Sequence, residues 1–186
     1  MKLKKLTAVC FALFLCLGAL ASCGGKTEDG VKIPSGMQAI ASEMGDYYLM
    51  VPKDWAVDTT KGMTSAYAED AAHSSVTVCA NALTSATPDI EAYWASFTDE
   101  FEATFDDFTL LDKEPTDVTF GANEEKIEGK KYRYTATVGG VGYQWMQVLF
   151  VHDGNLFVFT YTSTQDAYED TLDEVEEILA NFTFCK

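Results

Sequence analysis

The chain has 186 residues, with 13 Lys or Arg set against 29 Asp or Glu, a formal charge of −16. So acidic a balance excludes the basic footprint that nucleic-acid binding requires. It also opposes electrostatic adhesion of the folded part to an anionic membrane surface, and its ordinary meaning is solubility. The chain opens on a basic patch, Lys2, Lys4 and Lys5, and runs on without charge from Leu6 to Ala21, rich in Leu, Phe and Ala. A positive stretch, an apolar stretch and then small residues form the pattern of a secretory signal. The competing reading is a membrane-spanning helix. At ~1.5 Å rise the uncharged run reaches roughly 24 Å, short of the ~30 Å hydrocarbon core.

The run closes on Leu20-Ala21-Ser22-Cys23, followed by Gly24-Gly25. This resembles the bacterial lipobox, a Leu, two small residues and a Cys. The resemblance implies that the Cys23 sulfur receives a diacylglycerol and that residues 1–22 are cut away as a signal peptide. A plain secretory signal and an uncleaved anchor are the alternatives. Cys10 and Cys16 lie inside the apolar run, where thiols act as small hydrophobes, and cleavage at either would leave apolar residues at the new N-terminus. Two or more acyl chains of palmitate type hold a protein stably on a bilayer, at ~0.8 kcal/mol per buried CH₂. The expected location is therefore the extracytoplasmic face of the cell membrane, lipid-anchored.

Without the three signal lysines, 10 basic residues face 29 acidic ones, a formal charge of −19 for the mature chain. Its length suits one domain with a real core. Residues 23–36 are Gly-rich, charged and aperiodic, and read as the lipidated Cys and a flexible tether of up to ~40 Å. Residues 37–186 show no repeat and no low-complexity segment, and read as a single domain.

Within it, Tyr47 to Val51 is a short strand stopped by Pro52, with Trp55 after the turn. Thr64 to Ala68 is a weak strand, and Ser74 to Leu83 a stronger one through Val76, Val78 and Ala80. Thr87-Pro88-Asp89 then starts a helix, with Thr87 as cap, Pro88 at the first position and Asp89 favouring the positive end of the dipole. Its apolar stripe is Ile90, Tyr93, Trp94, Phe97, Phe101, Phe105 and Phe108, and its opposite face holds Asp99, Glu102 and Asp106. Thr109 to Leu111 and Val118 to Phe120 read as two short strands.

From Lys130 to Thr162 the pattern is a meander. Tyr132, Tyr134, Ala136 and Val138 alternate with polar residues, Gly139-Gly140 turns the chain, and Asp153-Gly154 favours a tight I′ hairpin. Tyr143, Trp145, Leu149 and Val151 make one apolar face, and Met146, Val148 and Phe150 the other. A strand apolar on both faces is covered on both, so this hairpin belongs at the centre of its sheet. A second helix spans about Asp166 to Asn181, burying Tyr168, Leu172, Val175, Ile178 and Leu179, with Phe182 at its end. Glu169, Asp170, Asp173, Glu174, Glu176 and Glu177 lie on its other face. The order strands, helix, strands, helix gives class α+β: an antiparallel β-sheet flanked by two helices.

Tyr48-Leu49-Met50-Val51-Pro52 with Trp55, the strand pair about Asp153-Gly154 and the closing Asn181-Phe182-Thr183-Phe184 together resemble the PsbP-like and DcrB-like bacterial lipoproteins. The likeness runs from about Met37 to the end. It implies an α/β/α sandwich and supplies no shared catalytic residue.

Few residues suggest chemistry. Cys79 and Cys185 remain in a compartment that permits disulfides, and a bridge between them would close a loop of roughly 100 residues; two thiols are the alternative. His73, near Glu69 and Asp70, and His152, before Asp153, share no short metal-binding spacing. No acidic run fits an EF-hand loop, so no metal ligands are assigned. No Gly-x-Ser-x-Gly elbow is present, and Gly139, Gly140 and Gly142 precede a strand where a phosphate loop needs a helix. The sequence therefore points to a monomeric, non-catalytic, membrane-anchored protein without cofactor, binding an envelope protein or small ligand. A cation-binding accessory role is the alternative, and a hydrolase with an unrecognised site a further one.

Overall fold

A computed structural model describes residues 26–27, 30–42, 47–58, 63–105, 107–120 and 125–185. The proposed signal and Cys23 lie outside them. Among the described residues, ten strands and two helices occur in the order β1 (Met37–Ala41), β2 (Tyr47–Pro52), β3 (Ala56–Asp58), β4 (Thr64–Tyr67), β5 (Ser75–Ala82), α1 (Ile90–Glu102), β6 (Thr109–Phe120), β7 (Glu125–Val138), β8 (Val141–His152), β9 (Asn155–Thr164), α2 (Tyr168–Ala180) and β10 (Thr183–Phe184). The class is α+β, as expected from the order of elements. The sheet is not single, however. Seven strands pair in the order β3-β4-β5-β9-β8-β7-β6, and a separate three-stranded sheet has the order β1-β2-β10. All pairings are antiparallel.

The β8–β9 hairpin sits at the middle of the large sheet because both its faces need cover. Met146, Val148 and Phe150 enter a core shared with α2 and the small sheet, while Trp145 and Leu149 enter a second core under α1. Both meander turns have the backbone that their sequences favour. Asp153 and Gly154 take φ of 45° and 74°, and Gly139 and Gly140 take 61° and 85°, the two positive values that a type I′ turn requires. β6 is one strand of 12 residues, not two short ones. Pro115 interrupts its pattern, but β6 is an edge strand, where a missing N–H need not cost a ladder bond.

α1 starts two residues later than Thr87 would set it. Asp89 is the cap: its Oδ1 accepts from the Ala92 N–H at 2.8 Å, and Thr87 instead bonds Thr84 across a turn. Phe105 and Phe108 lie beyond the last helical residue, yet both pack into the core under α1. α2 is tied to the sheet by polar contacts. The Tyr161 hydroxyl donates to the Tyr168 carbonyl at 2.7 Å, and Thr171 donates to Ser74, whose hydroxyl also pairs with that of Ser163.

Part of the segment read as a tether is packed on the domain. Val31 and Ile33 pack with Met37, Ala39, Tyr48, Met50 and Cys185 on the outer face of the small sheet, and Ile33 is 8% exposed. Thr27 and Val31 exchange hydrogen bonds, and Lys26 bridges back to Lys32. Charge and glycine content read as looseness, but two β-branched side chains are enough to seal an apolar sheet face.

Gly129 in β7 marks a close approach of β8. A Cβ there would lie 2.7 Å from the Leu149 carbonyl oxygen and 3.3 Å from the Phe150 Cβ. Backbone cannot swing aside, so Gly129→Ala is expected to lower stability by about 1–3 kcal/mol. A urea denaturation midpoint equal to that of the parent would contradict the close approach.

Candidate functional site

A surface cavity of about 560 Å³ lies between the turn after β2, the loop from Ala68 to Ala72 and the outer side of α2. Five carboxylates line it: Asp54, Glu69, Asp70, Asp170 and Glu174. Among the described residues that line it there is no Lys, Arg or His. Its geometry follows from the packing beneath. Trp55 is 4% exposed and enters the core under α2, and its Nε1–H donates to Glu174 Oε2 at 3.0 Å. That bond holds the 53–55 turn against the helix. Asp70 Oδ1 accepts from the Ser74 N–H at 2.9 Å, which fixes the loop on the other wall. Asp170 and Glu174 follow from helical spacing, because Thr171 and Val175 are buried and their neighbours one position back face out.

The groove has acceptors and an indole edge, and no nucleophile paired with a base. Among the described residues, no three or more His, Cys, Asp or Glu come close enough together to hold a metal ion. Its chemistry is that of a negatively charged cleft, suited to a cationic side chain or amine. A second cleft of about 320 Å³ lies on the α1 side, between Tyr93, Phe97 and Glu100 of the helix and Asn81, Leu83 and Leu156. Burial first, then Cys79 and Glu100, push the Tyr93 phenol up to about 12. It therefore stays protonated near neutrality and cannot act as a base there.

The sequence-predicted residues are not brought together. Cys79 packs in the core under α1, and Cys185 packs on the outer face of the small sheet. The large sheet stands between these clusters, and packed layers lie ~10 Å apart, whereas a disulfide needs Cβ atoms roughly 4 Å apart. The two cysteines read from the sequence as a possible bridge thus stand in different clusters. His73 is exposed in the loop beside the groove, with φ of 52°, and does not line it. His152 stacks on Phe184 at 3.8 Å between ring centroids and lies 3.5 Å from Asp153 at the hairpin end. Two of the lining carboxylates, Asp170 and Glu174, stand on the acidic face of α2. Its partners Asp54, Glu69 and Asp70 carry no local signal of convergence.

A sandwich of this kind, with α1 on one face of an antiparallel sheet and α2 on the other, has the PsbP- and Mog1-like α+β fold. The cyanobacterial PsbP (CyanoP) of Synechocystis sp. PCC 6803 matches with a TM-score of 0.58 at 15% identity, over 90% of this chain and 99% of that one. The Ran-binding protein Mog1p of Saccharomyces cerevisiae matches with a TM-score of 0.56 at 8% identity, over 81% and 96%. Protein PA94 of Pseudomonas aeruginosa gives 0.52 at 13%, over 78% and 95%. At these identities the likeness is one of fold. No protein-family model and no curated protein matches the sequence.

Proposed function

We propose that the chain is a lipoprotein of the cell envelope, cut before Cys23 and anchored by acyl chains on that thiol. Its domain binds a partner on the extracytoplasmic side and catalyses no reaction. The observation that carries this reading is the order of the first residues: three lysines, an uncharged run, then Leu20-Ala21-Ser22-Cys23. Among the described residues no helix is long and apolar enough to cross a membrane, so in this reading the lipid supplies the attachment. The fold supports a binding role by analogy, since Mog1p is a Ran-binding protein. The acidic groove supports a cationic segment of a partner as the ligand.

Replacement of Cys23 by Ser removes the thiol that is acylated. The full-length Cys23→Ser chain is expected to lose the lipid and to leave the detergent phase on temperature-induced phase separation, with a drop of tenfold or more. A Cys23→Ser chain that still partitions as a processed, acylated species would refute the anchor.

A further inference from the structure

The cleft of about 320 Å³ beside α1 has one wall from the helix and one from the sheet. Tyr93, Phe97 and Glu100 are spaced by four and three residues, which puts them on one face of α1. Asn81 in β5, Leu83 just after it and Leu156 in β9 form the opposite wall, and Asn81 and Leu156 are cross-strand partners. Ligand cavities run from ~300 to ~1,000 Å³, so this one suits a small molecule.

Both walls are held in place by contacts of their own. The Thr84 hydroxyl accepts from the Ala86 N–H at 3.2 Å and from the Thr87 N–H at 3.0 Å, which fixes the turn at one end of the cleft. Leu156 is 1% exposed and belongs to the core under α1. Phe97 stacks on Phe101 with centroids 4.3 Å apart and meets Trp94 at 5.2 Å. A preformed cleft loses little conformational freedom when it is filled.

The polar groups select the occupant. Among the described residues that line the cleft, Glu100 is the only charged one. It is exposed and, among the described residues, in no ion pair. The lysines that reach α1, Lys113 and Lys130, both close on Glu91, roughly 13 Å away along the helix. Asn81 gives its amide N–H to Cys79 Sγ at 3.6 Å, so the amide oxygen remains as an acceptor. The Tyr93 phenol stays protonated and adds an uncharged aromatic face. A neutral molecule seated here would strip water from Glu100 and return nothing, whereas a cationic donor compensates the carboxylate. An ammonium also gains from the face of an aromatic ring.

We infer that this cleft binds a small organic cation, with an apolar body on Leu83, Leu156 and Phe97 and an ammonium group against Glu100 and Tyr93. The site lies on the opposite side of the large sheet from the acidic groove, and it does not depend on the lipid anchor.

A methyl NMR titration tests it on the full-length protein in a non-ionic detergent, with alanine and leucine methyls labelled. The probes are phenethylamine and its uncharged counterpart, phenethyl alcohol. The Ala82, Leu83 and Leu156 methyls are expected to shift together and saturate at millimolar amine. The alcohol should bind roughly 3–5-fold more weakly, the scale of an exposed ion pair. Glu100→Gln should remove that difference and leave the alcohol affinity unchanged, and the remaining methyl signals report that the variant is folded. Equal affinities for amine and alcohol in the parent would overturn the inference, as would an amine preference that survives Glu100→Gln. So would an absence of shifts at these three residues, whether no methyl responds or only Ala68 and Ala167, which line the acidic groove.

Discussion

Trp94→Ala is expected to cost about 3–5 kcal/mol, the loss typical of a buried tryptophan. Trp94 is at the centre of the aromatic cluster between α1 and the large sheet. Its ring stacks on Tyr132 with centroids 3.8 Å apart and 13° between planes, and it also meets Phe97 and Tyr134. These rings hold α1 down: the helix enters the core through Trp94 and Phe101, with Ile90, Tyr93 and Phe97 half-covered beside them. Truncation removes both the apolar area and the stack, and the remaining rings are too rigid to refill the space. Against a total stability of ~5–15 kcal/mol, the variant should unfold at much lower urea, monitored by circular dichroism. A shift below 1 kcal/mol would mean that α1 is not pinned by this ring.

Trp55→Ala should cost a similar ~3–5 kcal/mol, with a local consequence as well. The indole fills the core between the 53–55 turn and α2 and donates to Glu174. Alanine would open the groove floor and leave Glu174 without that donor. Trp55→Phe separates the two effects. It keeps most of the apolar contact and loses the hydrogen bond, worth about 1.5–3 kcal/mol when the acceptor is charged and less here because the pair is partly exposed. Equal urea midpoints for Trp55→Ala and Trp55→Phe would show that packing at Trp55 contributes nothing beyond the bond.

The parts legible in the sequence are those where a local pattern and the fold agree. The β8–β9 hairpin shows its central place through two apolar faces, and Asp153-Gly154 shows its turn through residues that tolerate positive φ. α2 shows both its buried stripe and the carboxylates that later line the groove. The small sheet was hidden because pairing partners are not a local property. β2 read as a strand, but nothing in Tyr47–Pro52 says that it pairs with Met37–Ala41 and Thr183–Phe184 rather than with the meander. β10 has only two residues and offers no period. Gly30, Lys32 and the neighbouring acidic residues dominate the composition of residues 26–36, whereas the packing of Val31 and Ile33 on the small sheet leaves no local period to read. The groove is least legible of all. Asp54, Glu69 and Asp70 converge with Asp170 and Glu174 across about a hundred residues of sequence, through the tertiary contacts of Trp55 with Glu174 and of Ser74 with Thr171.

The lipid anchor remains the central claim, and the structure changes what it implies. Val31 and Ile33 pack on the small sheet and Lys26 bridges back to Lys32, so the described part of the segment after Cys23 belongs to the fold. Mass spectrometry of the N-terminal peptide of the protein extracted from its own membranes tests the anchor most directly. The account predicts a peptide that begins at Cys23 and carries acyl chains. A chain that keeps Met1, or one that begins elsewhere with Cys23 absent or unmodified, would contradict it.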